Sequence, residues 1–172
     1  MHHKSEENMA ELPPMATYSH EEIGISISVP ENWSGEIISE LQFRIFGEPE
    51  TGFEEYFDEY RSTMSYTLAE PDNTNSGWFE TLIKESVEEM AQDYNEFQLI
   101  KEEQFQIANH PAYVRYYEWT EENTGLRLSQ VQSLIKLDDS AFYLINAATL
   151  KPLAEKYLPI FNAILQSTQI TR

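Results

Sequence analysis

Residues 110–120, with the sequence HPAYVRYYEWT, hold the densest group of side chains that could bind a ligand. If this stretch is a β-strand, Arg115 shares one face with Tyr113, Tyr117 and Trp119. A guanidinium group held between aromatic rings can anchor an anion or a peptide in a groove. The same pattern is also typical of a central strand, in which the arginine stem packs on the rings and the head meets a carboxylate.

Both interpretations stay open at the level of sequence. The following segment adds two glutamines at alternate positions, and a short turn sequence between the two segments favours their pairing. The candidate binding residues are therefore Tyr113, Arg115, Tyr117, Trp119, Gln130 and Gln132.

Motifs of catalysis are absent from the sequence. It contains no GxGxxG, P-loop, GxSxG or HExxH pattern, and no serine stands in a recognisable order with histidine and an acid. Acid doublets such as Glu88-Glu89 recur, but adjacent carboxylates on a helix or strand point apart. A glycosidase needs two carboxyl groups about 5–10 Å apart across a cleft. We predict no catalytic residues and a protein that is not an enzyme.

Metal and cofactor sites are also not indicated. The stretch DNTNSG resembles the start of a calcium loop, but Ile83 stands where the loop needs glutamate, and no helix precedes it. The chain has no cysteine, which excludes thiolate metal sites, disulfides and thiol nucleophiles. We predict no metal and no cofactor.

The charge excludes one class of partner. The 172 residues carry a formal charge of −19, so nucleic acid is not an expected partner, because each phosphate contact needs a cation. Residues 1–122 contain 27 acids and 6 bases, whereas residues 123–172 contain 3 acids and 5 bases. This pattern fits a solvated, self-repelling surface or an acidic face for a basic partner.

Hydropathy and the chain start bear on localisation. The mean hydropathy is −0.52, and no apolar run approaches the roughly 20 residues that span a bilayer. Residues 1–15 lack the apolar core of a signal peptide. We expect no membrane span and, by default, a cytoplasmic location, or an extracytoplasmic one if a leader is missing from this sequence.

The elements that position the candidate residues follow from periodicity. Strands are predicted at 23–29, 40–46, 62–70, 97–107, 112–120, 126–137 and 141–149. Helical spacing of apolar residues predicts helices at 77–94 and 152–166. Pro159 lies inside the second helix and should kink it or begin a second piece.

This order predicts an α+β domain. Short turns between consecutive strands favour an antiparallel sheet of about six or seven strands. Segments 112–119 and 141–149 are apolar on both faces, so each face of the sheet needs a helix. Residues 1–17 are predicted to be a disordered tail, and residues 18–170 a single domain.

The chain resembles the PsbP-like domain superfamily, in particular its uncharacterised DcrB-like bacterial branch. The resemblance rests on the order and spacing of GISISVPENW, HPAYVRYYEW, GLRLSQVQSLIKLDDSAFYLINAAT and FNAILQST. It implies an α/β/α sandwich around an antiparallel sheet. Members with this fold include an extrinsic photosystem II subunit, a Ran-binding import factor and type VI effector chaperones. The resemblance therefore implies function by binding and supplies no catalytic residue.

We expect a non-enzymatic binding or accessory protein that presents a sheet face or groove to a protein or peptide partner. Two alternatives are a small hydrolase with an unmarked carboxylate site and a photosystem-associated extrinsic protein. The hydrolase alternative requires a deep pocket whose acids have raised pKa values.

Overall fold

Two runs of strands alternate with two helices along the part of the chain that the computed structural model describes, residues 12–172. Ten strands lie within this part: β1 (Met15–His20), β2 (Ile25–Pro30), β3 (Ser34–Ser39), β4 (Gln42–Phe46), β5 (Thr63–Ala69), β6 (Gln98–Ile107), β7 (His110–Thr120), β8 (Arg127–Asp138), β9 (Ala141–Leu150) and β10 (Gln169–Ile170). The helices are α1 (Trp78–Asp93) and α2 (Ala154–Gln166), and a short 3₁₀ turn (Lys151–Leu153) leads into α2.

The main layer is a seven-stranded sheet in the order β3-β4-β5-β9-β8-β7-β6. Every neighbouring pair in it is antiparallel. The long strands β7, β8 and β9 lie in the interior of the sheet and bury side chains on both faces, as their apolar composition requires. The predicted α+β class, the antiparallel pairing and the number of strands are confirmed.

A second, three-stranded sheet in the order β1-β2-β10 accounts for the clean alternation at the start of the chain. Its Ile25 and Ile27 pack into the main core, against residues of the seven-stranded sheet that include Phe43 and Tyr66. Two hydrogen bonds join the seven-stranded sheet to the start of the small sheet and to the end of the chain. The Tyr143 hydroxyl donates to the Ile23 carbonyl, and the Tyr66 hydroxyl lies 2.8 Å from Thr168 Oγ1. The predicted strand at 23–29 therefore belongs to this small sheet. The seven-stranded sheet instead contains β3, which forms one of its edges.

Each face of the seven-stranded sheet carries one helix. On the first face α2 and the small sheet share the main core, with Tyr157, Phe161 and Ile164 of α2 fully buried. On the other face, which we call the α1 face, Trp78 and Phe79 of α1 pack among sheet residues. The predicted helix on each face is confirmed.

Three local predictions need correction or restriction. β1 includes residues 15–17, so the predicted disordered tail is wrong there, and residues 1–11 lie outside the described part. Leu41, which falls within the predicted strand at 40–46, instead lies in the β3–β4 turn and is exposed. Helix α2 continues through Pro159 to Gln166, so no second piece begins there.

Neither helix of residues 12–172 is a candidate for a bilayer crossing. Among the described residues, neither helix has the length and apolar content that a membrane span requires.

Candidate functional site

The six predicted binding residues lie together on the α1 face. In the β7–β8 register, Arg115 lies opposite Gln132 and Tyr117 lies opposite Gln130. Because directly opposed residues of an antiparallel pair share a face, the two glutamines extend the aromatic strand sideways. The sequence prediction of their proximity therefore matches the geometry.

Arg115 lies beneath α1 and has no exposed surface. Its Cζ stands 4.8 Å from the centre of the Tyr113 ring. Its Nη2 donates to the Ile83 carbonyl at 3.0 Å and to Ser86 Oγ at 2.8 Å, both on α1. The arginine thus links β7 to the helix that covers it.

The guanidinium of Arg115 has no carboxylate partner in the described part of the chain. No acid lies within 4 Å of it in residues 12–172, and its Nε and Nη1 meet no acceptor there. Burial lowers the pKa of Arg115, but a guanidinium remains charged at any physiological pH. A buried cation without a counter-ion is costly, and a well-packed apolar side chain would be at least as stable.

Tyr113 binds the carboxylate of the residue that lies opposite Arg115 on β6. Glu102 lies opposite Arg115 in the β6–β7 register, and it accepts a hydrogen bond from the Tyr113 hydroxyl. Burial, together with this hydrogen bond, raises the pKa of Tyr113, so the phenol stays protonated and donates. The ring therefore separates the arginine from the acid.

The remaining aromatic residues fill the space near the end of α1. Tyr94 stacks on Trp119 with ring centres 4.6 Å apart and on Tyr117 at 6.1 Å. Trp119 donates its indole N–H to Gln130 Oε1 at 3.0 Å. Tyr113, Arg115 and Tyr117 are buried, whereas Trp119 and Gln130 are half-buried. The predicted aromatic-lined groove is thus closed by α1 over most of its length.

A row of polar residues crosses the whole sheet on the α1 face and passes through Arg115. Each of the seven strands contributes one residue, and each residue is directly opposite the next in the strand register. The row reads Glu36, Arg44, Ser65, Asn146, Gln132, Arg115 and Glu102.

The row is open toward β4, β5 and β9 and closed beneath α1. Arg44, Ser65 and Asn146 are half-buried, whereas Gln132 is 8 % exposed. Gln132 Nε2 donates to Asn146 Oδ1 at 3.1 Å, but its buried Oε1 has no donor within the described chain. The buried polar atoms without a hydrogen-bond partner in the described chain therefore lie where the row passes under the helix.

Five members of this row were missed by sequence reasoning: Glu36, Arg44, Ser65, Asn146 and Glu102. Arg44 and Ser65 occupy alternate polar positions of their strands, which is the available signal for a shared face, whereas Asn146 is a lone polar residue among apolar ones. That signal does not reveal which strands are neighbours, so the row itself follows only from the sheet order.

The buried acids of the described chain serve ion pairs. Burial acts to raise the pKa of Glu118, but hydrogen bonds and charge from Lys151 and Arg127 outweigh it and lower that pKa. Glu50 has a lowered pKa for the same balance of causes, with Lys156 and Tyr157 as its partners. Residues 12–172 bring together no group of three side chains able to hold a metal ion.

Solved structures with the same fold come from distant proteins. LpqN, involved in cell envelope biogenesis of Mycobacterium tuberculosis, has 14% identity and a TM-score of 0.67, covering 92% of this chain and 91% of its own. The cyanobacterial PsbP of Synechocystis sp. PCC 6803 has 13% identity and a TM-score of 0.58 over 92% and 94%. The Ran-binding protein Mog1p of Saccharomyces cerevisiae has 11% identity and a TM-score of 0.57 over 93% and 97%.

Sequence comparison gives the family. No curated protein matches the chain significantly. A family model described as PsbP-like protein matches residues 2–170. These residues include both sheets and both helices, and the resemblance seen in the sequence is confirmed. The chain belongs to the PsbP-like protein family.

Proposed function

We propose that this chain is a non-enzymatic binding protein that presents the α1 face of its seven-stranded sheet to a protein or peptide partner. The observation that carries the proposal is the polar row, at whose open end Arg44, Ser65 and Asn146 are half-buried. A partner's polar groups would enter there and reach Gln132, whose Oε1 has no donor within the described chain, whereas Arg115 stays enclosed.

Energetics support a binding role for the row. A sheet face beneath a helix is more simply stabilised by apolar side chains, because each unpartnered buried polar group costs roughly 1–3 kcal/mol. The α1 face follows that rule at Tyr113, Leu134 and Phe142 but departs from it along the row. Departures of this kind are expected where a surface serves recognition.

The six residues of the original prediction divide into two roles in this proposal. Trp119 and Gln130 are accessible enough to contact a partner directly. Tyr113, Arg115 and Tyr117 hold α1 and its following segment as one wall of the groove. Gln132 lies between the two groups at the mouth of the closed section.

The fold supports this class of function. Mog1p is Ran-binding, so one protein with the same architecture has a protein partner. The hydrolase alternative finds no support, because every carboxylate with a resolved shift in the described chain has a lowered pKa, and that alternative requires raised ones. The photosystem alternative has only the shared fold in its favour.

The test is capture of a partner from native extract, followed by affinity measurement with purified components. Arg44→Ala should weaken binding at least tenfold, because it removes the cation at the open end of the row. Lys84→Ala is the matched control, since it removes one positive charge from an exposed position of α1. Equal affinity of wild type and Arg44→Ala, or no partner for a well-folded sample, would contradict the proposal.

A further inference from the structure

We propose that the outer edge of β3, with the cavity beyond its turn, binds an extended, positively charged segment of a protein partner by strand addition. This surface lies along the outer edge of the sheet and shares only Glu36 with the polar row of the α1 face. The strand-addition proposal is tested with a synthetic peptide, and the proposed function is tested with a captured partner. Either proposal can therefore fail while the other stands.

The two edges of the seven-stranded sheet differ in protection. β6 forms one edge and carries Lys101, Glu102 and Glu103 in succession, and charges of this kind discourage pairing with another strand. β3 forms the other edge and has no lysine, arginine or proline. Within residues 12–172, no strand pairs with the outer side of β3, and all six of its residues are exposed.

A bulge concentrates apolar surface on this edge. The β3–β4 register skips one residue between Ile37 and Ser39, which leaves Ile38 as the extra residue. A bulge re-aims side chains that would otherwise alternate, and Ile37 and Ile38 are 63 % and 40 % exposed. Leu41 in the adjoining turn is 53 % exposed. An unpaired strand edge beside exposed apolar side chains is the arrangement that strand addition uses.

A cavity of about 970 Å³ begins at this turn. Leu41, Leu68 and Leu137 line it, and the Leu41 carbonyl accepts a hydrogen bond from the Leu68 N–H at 2.8 Å, which fixes the turn against β5. Glu70 and Asp138 supply acids to the lining, and Arg172 supplies one base. A strand added along β3 and continuing past the turn would place an apolar side chain in this cavity.

Charge selects the class of partner. Glu31, Glu36 and Glu40 lie in or beside β3, and no base occurs between Glu31 and Phe43. All three acids are exposed, so lysine or arginine side chains on an added strand would meet opposite charge. A second copy of the chain is disfavoured, because each copy carries a formal charge of −19.

The probe is an eight-residue peptide of alternating valine and lysine, titrated into the full chain while NMR follows backbone amides. We expect shifts at Ser34–Ile37, Leu41 and Leu68, and hydrogen-exchange protection of those Ser34–Ile37 amides that point away from β4. Ile37→Lys should weaken binding at least tenfold, because it places a charge on the edge. Leu99→Lys, at an exposed apolar position of the opposite edge, is the matched control and should bind as wild type does.

Further measurements distinguish an added peptide strand from other occupants of the β3 edge. The valine–lysine peptide with N-methylated backbone amides should not bind, because it cannot form the ladder, and the valine–glutamate peptide should bind at least tenfold more weakly. Equal binding of either variant peptide, equal binding by Ile37→Lys, or no binding at low salt would overturn the proposal. Edge amides already protected before peptide is added, or a wild-type dimer that Ile37→Lys dissociates, would also overturn it.

Discussion

Replacing Phe43 by alanine is expected to lower the free energy of unfolding by about 3–5 kcal/mol, the cost of removing a fully buried aromatic ring. Phe43 has no exposed surface and stacks on Tyr66 with ring centres 5.0 Å apart. It also contacts Tyr18 at 5.2 Å and His20 at 5.8 Å, both on β1. The ring therefore fills the seam between the two sheets, and its loss leaves a cavity that neither sheet can close alone.

Chemical denaturation monitored by tryptophan fluorescence measures this change. Phe46→Ala is the matched control, because Phe46 lies on the same strand but on the α1 face, where it is half-buried. We expect the control to cost less than about 2 kcal/mol. Equal losses for the two variants would show that the small sheet does not depend on the packing described here.

Replacing Arg115 by alanine is expected to cost about 2–4 kcal/mol. The change removes the stem and head beneath α1, the contact with Tyr113, and both hydrogen bonds that join β7 to Ile83 and Ser86. The measurement is again the free energy of unfolding, here combined with hydrogen exchange of α1 amides. Faster exchange in α1 is expected in this variant.

Arg115→Met is the informative companion variant. Methionine fills much of the arginine volume and removes a buried charge that has no carboxylate partner in the described chain. We expect its stability to stay within about 1 kcal/mol of wild type. If Arg115→Met cost as much as Arg115→Ala, the guanidinium itself would be required for folding, and the energetic argument for a binding role would fall.

The fold was accessible from the sequence because its long elements are strongly periodic. The apolar faces of β7 and β9 and the helical spacing in α1 and α2 are produced by burial, and burial is what the pattern records. β3 was missed because all its residues are exposed and a bulge interrupts its alternation. β10 was missed because it has two residues.

The candidate site was only partly accessible. Tyr117 and Gln130 could be placed together because a short turn joins their strands. The contribution of Arg44 to the polar row could not be predicted, since it depends on the order of strands that are distant in sequence. One of the two open interpretations of Arg115 placed its head against a carboxylate, and residues 12–172 bring none within 4 Å. The described partners are a helix carbonyl and Ser86, and no sequence pattern distinguishes these from an acid.

The polar row on the α1 face is proposed to bind the partner, and Gln132→Met tests this. The substitution keeps the side-chain shape and removes the buried Oε1, which has no donor in residues 12–172, together with the hydrogen bond to Asn146. We predict a free energy of unfolding within about 1 kcal/mol of wild type, because the hydrogen bond to Asn146 is lost as well, together with at least a tenfold loss of affinity for the captured partner. Unchanged affinity in a variant that folds normally would contradict it.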